Sequence, residues 1–154
     1  MPRVSNFAII VRGEQPALSV RLTTSVEKLP QIIGESYGKI MAYMKETGTF
    51  MSDMPFVTYY NMDMQNLDVE MGFPVANPPA GNGEVKPGSV PAGKFITCMH
   101  RGPYMEIEPT YNEMMKWIED NGFQPTGVMH EYYFNDPDDF AQSEALTYIL
   151  TPVR

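Results

Sequence analysis

The chain has 154 residues, 43% of them apolar and 19% charged, which favours a single globular domain over residues 1–154 and excludes a disordered segment. The net charge of −8 makes nucleic acid and anionic membranes unfavourable partners and favours cationic ligands. One cysteine, Cys98, excludes a disulfide framework and a paired-cysteine metal site; we expect it to be a buried strand residue. The five-residue apolar run near the N-terminus is too short for a signal or a membrane span, which predicts a cytoplasmic protein.

The spacing of apolar residues predicts an alternation of strands and helices along the chain. In chain order these are an arm or strand over residues 1–15 with a turn at 12–14, a strand over 16–24, a helix over 26–47, strands over 55–61 and 67–75, a strand over 93–100, a helix over 105–120, and strands over 127–137 and 145–153. Residues 76–91 are rich in Pro and Gly and predict a connector with a short edge strand at 83–85. Residues 135–144 predict an acidic, solvated loop.

The first helix is predicted to begin after the N-cap Ser25 and to end at Gly48. Pro30 falls in the first turns, where a missing N–H is tolerated. Gly34 and Gly38 lie four residues apart and favour close approach to a sheet. The apolar stripe that should face the core comprises Leu29, Ile32, Ile33, Tyr37, Ile40, Met41 and Met44.

The strand over residues 67–75 alternates between an apolar face and a polar face. Glu70 belongs to the polar face and should point away from the side that the helix covers. Glu70 is either the second acid of a binding site or a solvated strand residue.

The strand over residues 127–137 holds one carboxylate, Glu131, among Met and aromatic residues. Met129, Glu131 and Tyr133 should share one face, and His130 the other, so a His–Glu dyad is not expected. Glu131 is therefore either the floor of a binding pocket or a rim charge.

Two cations are the candidate partners for a rim position of Glu131, namely Arg21 and Lys94. No sequence motif predicts a metal or cofactor site, because His100 and His130 belong to no ligand set and phosphate-loop and GxSxG spacings are absent. We therefore expect neither a metal nor a cofactor.

The order strand–helix–strand–strand occurs twice, over about residues 15–76 and 92–154, joined by the connector 77–91. The predicted fold is α+β, a tandem repeat of this unit with pseudo-two-fold symmetry. An antiparallel sheet should carry both helices on one face and a central ligand groove on the other, where the halves meet.

Six segments carry a resemblance to a known family: PFVTYYN, DVEMGFPV, VPAGKFITCMHRGPY, YNEMMKWIEDNG, HEYYFNDP and LTYILTPV. In this order and spacing, over residues 15–154, they resemble the GyrI-like effector-binding domain. That family includes the ligand-binding domains of MerR-type and AraC-type multidrug regulators and stand-alone proteins such as the gyrase-inhibitory protein. The regulators carry a helix-turn-helix segment before this domain. This sequence has none, so we expect a stand-alone member.

The resemblance implies which residues meet a ligand. Glu131 matches the pocket glutamate that pairs with cationic aromatic drugs, and aromatic companions stack on the ligand. The implied ligand-binding set is Glu131, Tyr133, Met129, Tyr60, Glu70 and Tyr148.

Three functions remain open. The first is binding of bulky, apolar, cationic or amphipathic small molecules. The second, which the resemblance to stand-alone members implies, is hydrolysis of cyclopropane-containing genotoxins by Glu131, Tyr133 and Tyr148. The third is inhibition of DNA gyrase, which rests on family analogy alone. Neither nucleic acid nor a membrane is an expected partner.

Overall fold

A computed structural model describes residues 5–102, 106–134 and 145–154. Its elements are β1 (Ala8–Arg12), β2 (Gln15–Thr24), α1 (Leu29–Thr47), β3 (Phe56–Tyr59), β4 (Leu67–Pro74), β5 (Lys86–Val90), β6 (Gly93–Arg101), α2 (Glu108–Asp120), β7 (Met129–Tyr133) and β8 (Leu146–Val153). The α+β class with antiparallel strands is confirmed. The chain divides into a continuous unit, Gly13–Ala92, and a discontinuous unit, Met1–Arg12 with Gly93–Arg154.

In the continuous unit four strands lie side by side in the order β5-β2-β4-β3 and pair in antiparallel fashion. Leu18 lies opposite Phe73 in the ladder of β2 and β4, so the two side chains share a face. Both are buried in one cluster with Ile40 and Met44 of α1. The alternation of β2 and β4 therefore places the predicted apolar face under the helix, as expected.

The first helix begins three residues later than predicted, at Leu29, and Ser25 is not its N-cap. The N-cap residue is Lys28, which makes no side-chain capping bond, and the Lys28 N–H donates to the Ser25 carbonyl in a preceding turn. Pro30 lies at the first helical positions, where its fixed φ favours a start. Gly48 ends the helix in the left-handed region, with φ of 68°, as predicted.

Two expectations about the faces of α1 are wrong. Met41 is 58% exposed and does not belong to the buried stripe. Gly34 and Gly38 are exposed, and a Cβ atom built on either meets no atom within 4 Å, so neither glycine serves close packing against the sheet.

The connector contains a strand, but not at residues 83–85. Gly83 and Glu84 lie in a tight turn that Asn82 and Val85 close through paired backbone hydrogen bonds. The strand is β5, which follows the turn and pairs with β2 as the outer strand of the sheet.

In the discontinuous unit four strands lie side by side in the order β1-β6-β8-β7 and pair in antiparallel fashion. Helix α2 packs on them through Met114 and Ile118, which are buried with Ile96, Cys98 and Ile149 of the strands. Cys98 is 1% exposed, which confirms the buried strand position predicted for it.

Helix α2 begins at Glu108, after the predicted start at residue 105, with Pro109 in its first positions, and it ends before Gly122, whose φ is 79°. Residue 105, the predicted start, and the predicted acidic loop at 135–144 lie outside the described residues.

The strand order is the same in the two units. An added outer strand (β5 or β1) lies beside the first strand of the predicted strand–helix–strand–strand unit (β2 or β6). The third strand (β4 or β8) and then the second (β3 or β7) follow. The internal duplication, the pseudo-two-fold axis and the central groove stay predictions. Among the described residues, no helix has both the length and the apolar character needed to cross a membrane.

Candidate functional site

Glu131 is a buried carboxylate, 1% exposed, in the middle of β7. Its Oε1 accepts a hydrogen bond from the Tyr133 hydroxyl at 2.6 Å, and its Oε2 accepts one from the Tyr111 hydroxyl of α2. Burying a carboxylate is costly unless polar groups replace its water, and hydrogen bonds to an ionised acceptor are among the stronger ones. The two tyrosines thus act as a fixed solvent shell for Glu131.

The Glu131 side chain lies on the face of the sheet that α2 covers. Glu131 is opposite Ile149 in the ladder, and Ile149 is opposite Cys98. Residues opposite each other share a face, and Ile149 and Cys98 pack against α2. Glu131 therefore does not lie on the face, away from the helices, where the central groove is predicted.

The alternative of a rim charge on Glu131 is wrong as well. Arg21 pairs with Asp68, with nitrogen–oxygen distances of 3.0 and 2.8 Å, and the Lys94 ammonium lies 5.5 Å from the centroid of the Phe123 ring. At 1% exposure, Glu131 is not at a rim.

Tyr111 is a contact of Glu131 that the sequence did not identify. Tyr111 is half-buried against the core cluster that α2 forms with the strands. A tyrosine on a buried stripe still needs an acceptor for its hydroxyl. The combination of such a tyrosine with a carboxylate on a strand was the available signal.

Met129 and Tyr133 lie at the two ends of β7, both half-buried, on the same face as Glu131. Tyr148 does not share that face. It is opposite Tyr132 in the β7–β8 ladder, and its ring lies 6.2 Å from the ring of Phe134. The structure therefore brings Tyr133 to Glu131 and leaves Tyr148 on the other side of the sheet.

Glu70, of the continuous unit, also accepts two hydroxyl hydrogen bonds. Ser19 donates to Oε2 at 2.5 Å and Tyr60 donates to Oε1. Glu70 is opposite Arg21 in the β2–β4 ladder, on the face away from α1, as the sequence predicted. The solvated-residue alternative does not describe this half-buried, doubly bonded carboxylate.

A cation lies against the tyrosine of this cluster. The Arg21 guanidinium carbon is 3.7 Å from the centroid of the Tyr60 ring, and Asp68 fixes its position. Burial and the hydrogen bond to Glu70 raise the pKa of Tyr60, which keeps its hydroxyl protonated as a donor. The hydrogen bond from Arg21 lowers the pKa of Asp68, so this surface pair stays ionised.

Both histidines contact other side chains of the protein core. His100 Nδ1 lies 3.0 Å from the Thr110 hydroxyl of α2, and His130 packs edge-on against Phe95, on the face opposite Glu131. In the part of the chain that the structure describes, no group of three or more His, Cys, Asp or Glu side chains could hold a metal ion.

An open groove of about 390 Å³ lies in the continuous unit beside α1. None of the six predicted ligand residues lines it; its walls are Lys39, Ala42, Tyr43, Glu46, Asn82, Glu84 and Val85.

Comparison with solved structures identifies similar proteins. The crystal structure of the EcmrR C-terminal domain is 25% identical, with a TM-score of 0.80 and coverage of 98% of both chains. In the EcmrR–DNA complex the TM-score is 0.84 at 25% identity, and the match covers 97% of this chain but only 57% of EcmrR. This chain thus spans little more than half the length of that relative.

Two more distant structures share the fold. A hydrolase from Listeria innocua is 18% identical, with a TM-score of 0.67, and the match covers 96% of this chain and 91% of that one. SAV2435 bound to tetraphenylphosphonium is 9% identical, with a TM-score of 0.66, covering 97% and 94%. No curated protein sequence matches. The model of the GyrI-like small molecule binding domain matches residues 6–154, and the chain belongs to this family.

Proposed function

We propose that this protein binds bulky organic cations that carry aromatic or apolar groups, and that Glu131 is the counter-charge. The observation that carries the proposal is the burial of the Glu131 carboxylate behind α2 between two tyrosine hydroxyls. A carboxylate held away from water attracts a cation more strongly than one at the surface. Tyrosine rings add cation–π attraction of about 0.5–2 kcal/mol.

The proposed contacts are the residues on the α2 side of β7. Tyr133 and Met129 flank Glu131 there, and Tyr111 approaches from α2. Met adapts to ligands of different shape, which suits a tolerant binder. Tyr148 is left out because its ladder position lies on the opposite face.

The family and one structural relative support the class of ligand. The family is a small-molecule binding domain, and SAV2435, which has this fold, was solved with tetraphenylphosphonium. Tyr60 and Glu70 stay predicted contacts from the sequence, and DNA gyrase a predicted partner.

The test is a titration with tetraphenylphosphonium and with the neutral compound triphenylphosphine oxide. The single tryptophan, Trp117, lies on α2 with Tyr111, so its fluorescence should report binding. We expect Glu131→Gln to weaken binding of the cation by about tenfold or more, which is about 1.4 kcal/mol, and to change binding of the neutral compound little. Equal losses for both compounds, or no saturable binding by the wild type, would refute the proposal.

Two further variants examine the site's extent. Tyr148→Phe should leave affinity for the cation unchanged, whereas Glu70→Gln will lower it if Glu70 is a ligand contact. Circular dichroism and thermal unfolding of each variant should confirm that it folds.

We keep hydrolysis as a second candidate because of one contact, the Tyr133 hydroxyl at 2.6 Å from Glu131. A carboxylate could accept a proton from an attacking water while a tyrosine hydroxyl supplies one to the opening ring carbon. Incubation with a cyclopropane-containing alkylating agent would then give a product heavier by one water, detected by mass spectrometry. Glu131→Gln and Tyr133→Phe should abolish that product, and binding without any product would reject this candidate alone.

A further inference from the structure

β1 is the outer strand of the sheet in the discontinuous unit. One of its edges pairs with β6, and no strand among residues 5–102, 106–134 and 145–154 pairs with the other. Its side chains are apolar and β-branched where they are most exposed, with Ile9 48% and Val11 77% exposed. A strand edge with free backbone groups and apolar side chains is a template for another strand.

The outer strand of the continuous unit shows the contrast. β5 has the sequence KPGSV, and Lys86, Pro87 and Gly88 are exposed. A lysine, a proline that cannot donate and a glycine are the features by which proteins block strand pairing. β1, with the sequence AIIVR, has only a terminal arginine.

Ile9 and Val11 extend an apolar surface next to α2. Ile9 is opposite Ile96, a member of the core cluster under α2, so both lie on that face. Phe7, two residues before Ile9, packs against Trp117 of α2 with ring centroids 5.9 Å apart. An added strand at β1 would therefore gain both backbone hydrogen bonds and apolar contacts.

We propose that β1 pairs in antiparallel fashion with β1 of a second copy of this chain. A two-fold axis normal to the sheet, passing between the Ile10 residues of the two copies, sets Ile9 of each copy opposite Val11 of the other. All four side chains then lie on one face. The strand is thus complementary to itself. Its one charged residue, Arg12, does not oppose this, because it falls opposite Ala8 of the other copy and lies 5.3 Å over the Tyr132 ring.

The seam is short, five residues from each copy. It buries much less than the roughly 1,600 Å² of a standard interface, so the dimer forms at high protein concentration only. Each copy carries a charge of −8, so added salt should strengthen the dimer by screening the repulsion.

The test is sedimentation velocity from about 5 to about 500 µM protein at low and high salt, a range that covers weak association. The wild type should pass from monomer to dimer, and Val11→Lys should move the midpoint to at least tenfold higher concentration. Met41→Lys, which replaces an exposed apolar residue of α1 and adds the same charge, should behave as wild type. Exchange of the amide hydrogens of residues 8–12 should slow as the wild type is concentrated.

A wild type that stays monomeric over the whole range would overturn the proposal, and so would a dimer that Val11→Lys leaves unchanged. Thermal unfolding of both variants guards against a folding defect. If β1 instead pairs with a strand of a different protein, the purified wild type will stay monomeric, and this result counts against pairing with a second copy.

Discussion

The two tyrosine hydroxyls on Glu131 make the burial of its carboxylate tolerable. Removal of one donor takes one hydrogen bond away from a buried carboxylate, which costs about 1–3 kcal/mol. We therefore expect Tyr111→Phe and Tyr133→Phe each to lower the free energy of unfolding by about 1–3 kcal/mol, measured by urea denaturation. The rings stay in place in both variants, so the loss reports the hydroxyl.

Tyr148→Phe is the matched control, because Tyr148 is a half-buried tyrosine of the adjacent strand on the opposite face. It should change stability by less than about 0.5 kcal/mol. If the free energy of unfolding falls equally in all three variants, the hydroxyl contacts with Glu131 have no special role in stability.

His130 should make stability depend on pH. Burial, and to a lesser extent the charge of Arg12, lowers the pKa of His130 from 6.5 to about 4. Between those two values the unfolded chain binds one more proton than the folded chain, so the free energy of unfolding falls as the pH falls. From about pH 7.5 to about pH 5 the loss from this residue is about 2 kcal/mol.

The measurement is urea denaturation at both pH values for the wild type and His130→Asn. The variant should lack the His130 contribution, so the stability difference between the two proteins should shrink by about 2 kcal/mol at the lower pH. Titration of the His130 ring protons by NMR reads the pKa directly. A ring that titrates near 6.5 would contradict the prediction.

At the scale of elements, α1 contains two glycines that lower the stability of the helix and make no close packing contact that would require a glycine. Gly34 and Gly38 are exposed in the helix interior, with open space where a Cβ would lie. Alanine restricts the unfolded chain and favours the helix, by about 0.5–1 kcal/mol per glycine. Gly34→Ala and Gly38→Ala should therefore raise the free energy of unfolding by about that amount each, measured in urea.

At two other glycines, substitution by alanine should lower the free energy of unfolding. Gly48→Ala places a side chain at φ of 68°, and Gly72→Ala puts a Cβ 2.6 Å from the Phe56 ring and 2.9 Å from the Leu18 carbonyl oxygen. Both changes should destabilise the protein. A gain at either position would show that local space and φ do not decide the effect.

The elements were largely predictable because their periodicity is clear, but their starts were not. The alternation in β2 and β4 and the glycine that ends α1 are local signals, and each was read correctly. The start of α1 was misplaced at Ser25, because a serine before an apolar stripe resembles an N-cap. The competing signal was Pro30, which lies at the first helical positions here, as Pro109 does in α2.

The grouping of side chains on β7 was predictable from the sequence, but the face of the sheet that α2 covers was not. Alternation groups Met129, Glu131 and Tyr133 on one face of β7, and the contact of Tyr133 with Glu131 agrees with that grouping. Which face α2 covers cannot be read from the strand, because His130 and Tyr132 on the other face are just as buried. Tyr148 was grouped with Glu131 because of the family resemblance, and the ladder sets it opposite Tyr132, on the other face.

At the scale of the whole molecule, two effects could attract a cation, and they respond differently to salt. The charge of −8 acts over long distances and is screened, with a Debye length of about 10 Å at 0.1 M salt. The contact proposed for Glu131 acts at close range in a dry environment and is screened much less. If that contact dominates, the affinity for tetraphenylphosphonium should fall only a few-fold between about 0.02 and about 0.5 M salt.

A pair of variants that remove one negative charge each separates the two effects. Glu131→Gln should lose about tenfold or more in affinity at both salt concentrations. Glu27→Gln, at an exposed position before α1, removes the same charge and should bind as the wild type does. Calorimetric titration measures all three proteins. If both variants lose the same affinity at low salt and the loss vanishes at high salt, the net charge of the whole protein attracts the cation and Glu131 makes no specific contact with it.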